Sequence, residues 1–150
     1  MERIASFCVD HTTLQKGMYV SRIDGDVVTY DIRTRRPNKE PVMSNGAIHT
    51  FEHLFATLAR NSRFADNIIY FGPMGCRTGF YFLVRGMTDQ QALNLTREIL
   101  AGIAAWNEPI PGASEVECGN AADHDLEGAK EEAAKMTLVL ENWTESNMKY

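Results

Sequence analysis

The chain has 150 residues, 44% of them hydrophobic and 23% charged, the proportions of one globular domain. A domain of this size buries roughly 70% of its unfolded surface and needs no staples to hold its core. A net charge of −5 argues against a nucleic-acid binder, which usually carries a basic face, and no run approaches the roughly 18 apolar residues that span a membrane. The three cysteines, Cys8, Cys76 and Cys118, are odd in number. The opening "MERIASFCVDHT" is charged at once and lacks the apolar core of a secretion signal. Together these read as reduced thiols in a cytoplasmic protein.

In chain order, "IASFCV" (4–9) predicts a short strand. "MYVSRI" and "VVTYDIR" flank "DGD", where Asp24-Gly25 signals a tight turn, so the two runs predict a hairpin. The prolines of "RRPNKEP" interrupt regular structure. A helix is predicted from about Asn45 to Asn61, capped by Ser44 or Asn45. Its buried stripe is Ile48, Phe51, Phe55 and Leu58, and at about 100° per residue His49 and His53 point away from that stripe. "NIIYF" and "CRTGFYFLVRG" predict two more strands around "GPMG". Thr88 and Gln91 match a capping box opening a helix whose core face is Leu95, Ile99, Ile103 and Trp106. "ASEVECGN" is irregular or extended. A last helix begins near Asp123, with Leu126, Ala129, Ala133, Met136, Leu140 and Trp143 on its apolar side. A tight hairpin is antiparallel by construction, so the order predicts an α+β domain: an antiparallel sheet packed against helices in two layers.

The chemistry centres on "HTFEH". Two histidines at i and i+4 on one helix face can grip a single metal ion, and imidazole suits zinc, iron, nickel and copper. Glu52, beside the second histidine, can work as a general acid or base next to a metal-bound group. The order HxxEH is also the signature of inverted zinc peptidases. The plain alternative is a surface helix that happens to carry two histidines. Cys118, followed by a glycine, is the candidate third ligand, with His124 as a rival. Three protein ligands leave an open position, the mark of a catalytic metal. Cys76 sits among Gly72, Pro73, Gly75 and Gly79, which suits a side chain at a strand end beside a cleft. Arg77 is placed to hold its thiolate, and such a thiolate moves protons at neutral pH. The plain reading of either thiol is a small buried hydrophobe.

Five blocks, "SFCVDHT", "YDIRTRRPNKE", "IHTFEHLFATLARN", "GPMGCRTGFY" and "ECGNAADHDLEGAK", occur in the order found in the LuxS family of S-ribosylhomocysteine lyases. The chain resembles that family from about Ile4 to Lys130. The resemblance implies cleavage of S-ribosylhomocysteine to homocysteine and 4,5-dihydroxy-2,3-pentanedione, the precursor of a quorum-sensing autoinducer. It implies a homodimer with active sites at the interface and one divalent metal per subunit, natively Fe(II), with Zn(II) as the alternative. By position, the metal ligands are His49, His53 and Cys118, the acid/base pair is Glu52 and Cys76, and the substrate-binding residues are Ser6, His11 and Arg33. Read without the resemblance, His11 is a turn residue and Arg33 a solvated strand charge.

The chain departs from the family pattern where Tyr70 stands in place of an aspartate near the homocysteine end of the substrate. "TRR" at Thr34 to Arg36 replaces a more apolar pair. Two other readings compete. An HxxEH peptidase-like protein needs a downstream carboxylate ligand such as Glu127 or Glu131 and has no use for Cys76. A non-catalytic metal- or ligand-binding domain keeps the site without turnover.

Overall fold

A computed structural model describes all 150 residues. Strands β1 (Gly17–Asp24) and β2 (Val27–Arg33) form the hairpin, turning at Gly25 with φ +62°, a left-handed conformation that glycine adopts without strain. Strands β3 (Ile68–Pro73) and β4 (Gly79–Arg85) complete an antiparallel sheet in the order β1-β2-β4-β3. Strand alternation sends Tyr30, Ile32, Phe80, Phe82 and Val84 to one face, all fully buried, and Asp31, Arg33 and Tyr81 to the other. Helices α1 (Asn45–Arg60), α2 (Asp89–Ala104) and α3 (Leu126–Leu140) contribute to the same apolar core as the first face. The expected α+β architecture is therefore present.

The core's centre is aromatic. Phe55 of α1 stacks on Phe71 of β3 with ring centroids 3.8 Å apart, and Phe51 stacks on Phe80 at 4.8 Å. This seats the middle turns of α1 on the sheet, which fixes the orientation of the opposite helix face. Gly79 opens β4 where a Cβ would lie 2.7 Å from the Ile32 carbonyl oxygen, so only glycine permits that approach of β4 to β2. Ser44 caps α1 through its hydroxyl, Thr88 and Gln91 form the capping box of α2, and Asp125 caps α3. Arg97 of α2 donates to the carbonyls of Leu140 and Trp143, closing the end of α3.

The elements differ from expectation at four places. The segment 4–9 is not a strand. Ala5–Phe7 is a 3-10 turn, held by Phe7 N–H to the Ile4 carbonyl at 3.0 Å. The outer edge of β1 is engaged elsewhere, since Val20 N–H donates to the Met148 carbonyl at 2.8 Å. β4 starts at Gly79 rather than Cys76 because Arg77 takes a left-handed φ of 58° and its N–H closes a turn onto the Met74 carbonyl. Trp106 and Trp143 pack on the core from beyond their helix ends.

Candidate functional site

One end of the site is built on α1. Because Phe51 and Phe55 face the core, His49 and His53 lie on the flank, covered by the segment that joins α2 to α3. Pro111 and Asp123 of that segment offer backbone carbonyls, which accept from Nδ1 of His53 at 2.9 Å and of His49 at 2.8 Å. A nitrogen that faces a carbonyl must carry the proton, so in the neutral form of each ring Nε2 is the free nitrogen. Those two nitrogens lie 3.3 Å and 3.9 Å from Cys118 Sγ. A tetrahedral zinc or iron site with ordinary bond lengths separates sulfur and nitrogen ligands by about 3.6 Å. The fit is therefore good, and the donor set of two imidazoles and a thiolate suits Zn(II) or Fe(II). His124 is the fourth member of the group; the four ligating atoms lie within 4.8 Å of one another. Burial, then the neighbouring His49 and His53, lowers the pKa of His124 and favours its neutral form.

The second region lies at the sheet's other face. A cleft of about 560 Å³ is lined by Ser6, His11, Arg33, Cys76 and Thr78, among others. His11 donates from Nδ1 to the Val9 carbonyl at 2.8 Å, which fixes its ring. Arg33 is 2% exposed and grips Asp31 through two hydrogen bonds, of 2.5 and 3.1 Å. Its third nitrogen donates to Thr78 Oγ1 at 2.7 Å, and Thr78 Oγ1 is 3.0 Å from Cys76 Sγ. Burial opposes the charge on Arg33, but Asp31 outweighs it and the pKa is raised. Tyr150 donates to Asp31 Oδ2 at 2.7 Å and stacks on Tyr19; burial, then Asp31, pushes its pKa up.

The model of the S-ribosylhomocysteinase (LuxS) family matches residues 4–147. The chain belongs to this family. Relatives named S-ribosylhomocysteine lyase include those of Borreliella afzelii and Desulfotalea psychrophila, each 49% identical, and of Clostridium acetobutylicum, 47% identical. Each alignment covers 100% of this chain and 99% of the relative.

Set against the family motifs, the fold gathers His49, His53 and Cys118 into one cluster and Ser6, His11, Arg33 and Cys76 into one cleft. Glu52 is half-buried between the histidines on α1 and lines neither the cleft nor the cluster; it has no hydrogen-bond or ion-pair partner. Arg77 does not hold Cys76: its guanidinium donates to Asn45 Oδ1 at 3.3 Å, and the guanidinium that reaches the thiol is that of Arg33, by way of Thr78 Oγ1. Nor is Arg33 a solvated charge. Glu127 and Glu131 are exposed on α3 and outside the cluster, which removes the carboxylate ligand a peptidase would need.

Tyr70 is half-exposed on β3 and does not line the cleft. The "TRR" substitution has a structural account: Thr34 is buried against the Thr78 carbonyl, Arg35 forms a bidentate pair with Glu132 of α3, and Arg36 reaches Glu40. Sequence reasoning missed Asp31, Thr50, Thr78 and Tyr150. For Asp31 a signal existed, since strand alternation places it beside Arg33 on one face. No helix of the fold is long and apolar enough to cross a membrane, and the three cysteines are free.

Proposed function

We propose that this chain is a metal-dependent S-ribosylhomocysteine lyase that releases homocysteine and 4,5-dihydroxy-2,3-pentanedione, an autoinducer precursor. The observation that carries the reading is the convergence of His49 Nε2, His53 Nε2 and Cys118 Sγ, in a chain matched by the family over nearly its full length. Bound by those three side chains, Fe(II), or alternatively Zn(II), supplies a Lewis acid for substrate oxygens.

The chain's own groups do the rest. Ser6, His11 and Arg33 bind the sugar in the cleft. Cys76 takes and returns the protons on carbon next to the carbonyl, moving that carbonyl along the ribose chain. Glu52 moves the matching protons between oxygens. In the last step Glu52 takes a proton from the carbon next to the carbonyl, the carbon–sulfur bond breaks, and the departing homocysteine thiolate receives that proton from Glu52. Substrate and products then balance without water, oxidant or reductant.

The proposal includes a homodimer with active sites at the interface. It is supported by the separate placement of the cleft and the metal cluster, and by the exposed apolar Ile4 and Phe7 beside the cleft (58% and 64% exposed). The work belongs to a cytoplasmic protein with reduced thiols.

The test is thiol release. Anaerobically purified, iron-loaded protein is given S-ribosylhomocysteine, with S-adenosylhomocysteine and a peptide as controls. Free thiol from S-ribosylhomocysteine alone is expected. Metal-loaded protein that releases none would overturn the lyase reading.

A further inference from the structure

His124 has the reach of a fourth ligand, yet its hydrogen bonding differs from that of His49 and His53. Those two histidines place Nδ1 on backbone carbonyls, which only accept. His124 places Nδ1 on the Thr50 hydroxyl, 3.0 Å away. Thr50 is 0% exposed, and its oxygen already accepts from Asp125 N–H at 2.9 Å. The hydroxyl proton therefore needs an acceptor, and His124 Nδ1 is the acceptor the fold gives it. The opposite arrangement, with Nδ1–H donating to Thr50, leaves a fully buried hydroxyl proton unpaired, an arrangement that costs more than it returns.

We infer that Thr50 locks His124 as the tautomer that carries its proton on Nε2, so that His124 is a hydrogen-bond donor at the metal centre and not a ligand. Its Nε2 lies 3.8 Å from Cys118 Sγ, and its ring stacks on His49 at 3.9 Å. Asn120 N–H also points at the sulfur, at 3.4 Å. Cys118 thus receives two N–H donors, which draw charge from the thiolate and leave the bound ion a stronger Lewis acid. A protonated Nε2 cannot ligate. His124 therefore fills its side of the cluster without closing the coordination position the substrate oxygen needs. It is a positioning residue. This inference rests on the metal-centre reading given above.

The test is magnetic resonance on isotope-labelled protein loaded with the spin-active isotope of cadmium, with ring signals assigned by single histidine substitutions. Scalar coupling from cadmium to Nε2 of His49 and His53 is expected, with none to His124 and with a directly bonded proton on His124 Nε2. Coupling to all three rings, or a proton on His124 Nδ1, would overturn the inference and leave the metal centre standing. No coupling to any histidine would overturn the metal centre and the inference with it. A second readout separates donation from packing. In cobalt-loaded protein, His124→Leu should keep one metal per chain but move the thiolate-to-metal charge-transfer band to lower energy. His124→Gln, which retains an N–H donor, should move it back. A band that stays in place in His124→Leu would show that the sulfur does not feel this donor.

Discussion

The two halves of the site are oriented by different means. The ligand cluster is set by the main chain: carbonyls of Asp123 and Pro111 fix His49 and His53. The Arg33–Cys76 side of the cleft is set by side chains: Tyr150 holds Asp31, Asp31 holds Arg33, Arg33 holds Thr78, and Thr78 meets Cys76. A carbonyl depends little on which residue supplies it. A side-chain relay depends on every member. Substitution around the cluster should therefore be tolerated except at the three candidate ligands and at the Thr50–His124 pair, whereas substitution behind the cleft should propagate.

The largest effect tests the ligand half. Cys118→Ser should lower metal affinity by more than about 100-fold, beyond the range seen for losing an outer hydrogen-bond partner, and activity should fall with it. Metal analysis after dialysis against a mild chelator reads this directly. Cys76→Ala divides the halves: turnover should drop by about 10²–10⁴-fold, as for loss of a proton carrier, while one metal per chain stays bound. Loss of metal in that variant would contradict the separation. Asp31→Ala tests the relay. It strands Arg33, 2% exposed, without its partner, and an uncompensated buried charge of this kind destabilises by about 3–5 kcal/mol. Thermal unfolding should show a clearly lower Tm. A Tm close to that of the parent would mean that Arg33 finds another partner and the relay is not needed for folding.

The same division explains what could be read from the sequence. Histidines four apart on an amphipathic helix announce themselves, because helix periodicity is local, and the His49–His53 pair and α1 were both legible. So were the hairpin and the capping box of α2. The carbonyls that fix the histidines were not, because any residue supplies a carbonyl and only the fold says which one arrives. The relay was half legible. Asp31 and Arg33 share a strand face by alternation, but Thr78 and Tyr150 join them from 45 and 119 residues away. Arg77 was misread for the same reason: adjacency to Cys76 in sequence suggested a partner, and a left-handed turn carried its side chain to α1 instead. The segment 4–9 has the composition of a strand, but the edge it would pair with is occupied by Met148.

The smallest effect concerns acid, and it falls on the side-chain half. Glu40 lies at the rim of the cleft. Burial works against its charge, but Lys16 at 2.8 Å and the Arg36 N–H at 2.6 Å hold its pKa down to about 2 from an ordinary 4.5. A carboxylate whose pKa is lower in the folded chain contributes stability above its unfolded value, and that contribution is lost as pH falls toward the folded value. The window here runs from about 4.5 down to about 2. Glu40→Gln removes the charge at every pH. The parent should be the more stable of the two near neutrality, and the difference should shrink through that window and vanish at its lower end. Because the side chain is only 19% exposed, salt should screen the effect weakly. A difference that is the same at both ends of the window would show that Glu40 acts through packing, and that this rim of the cleft is not held by charge.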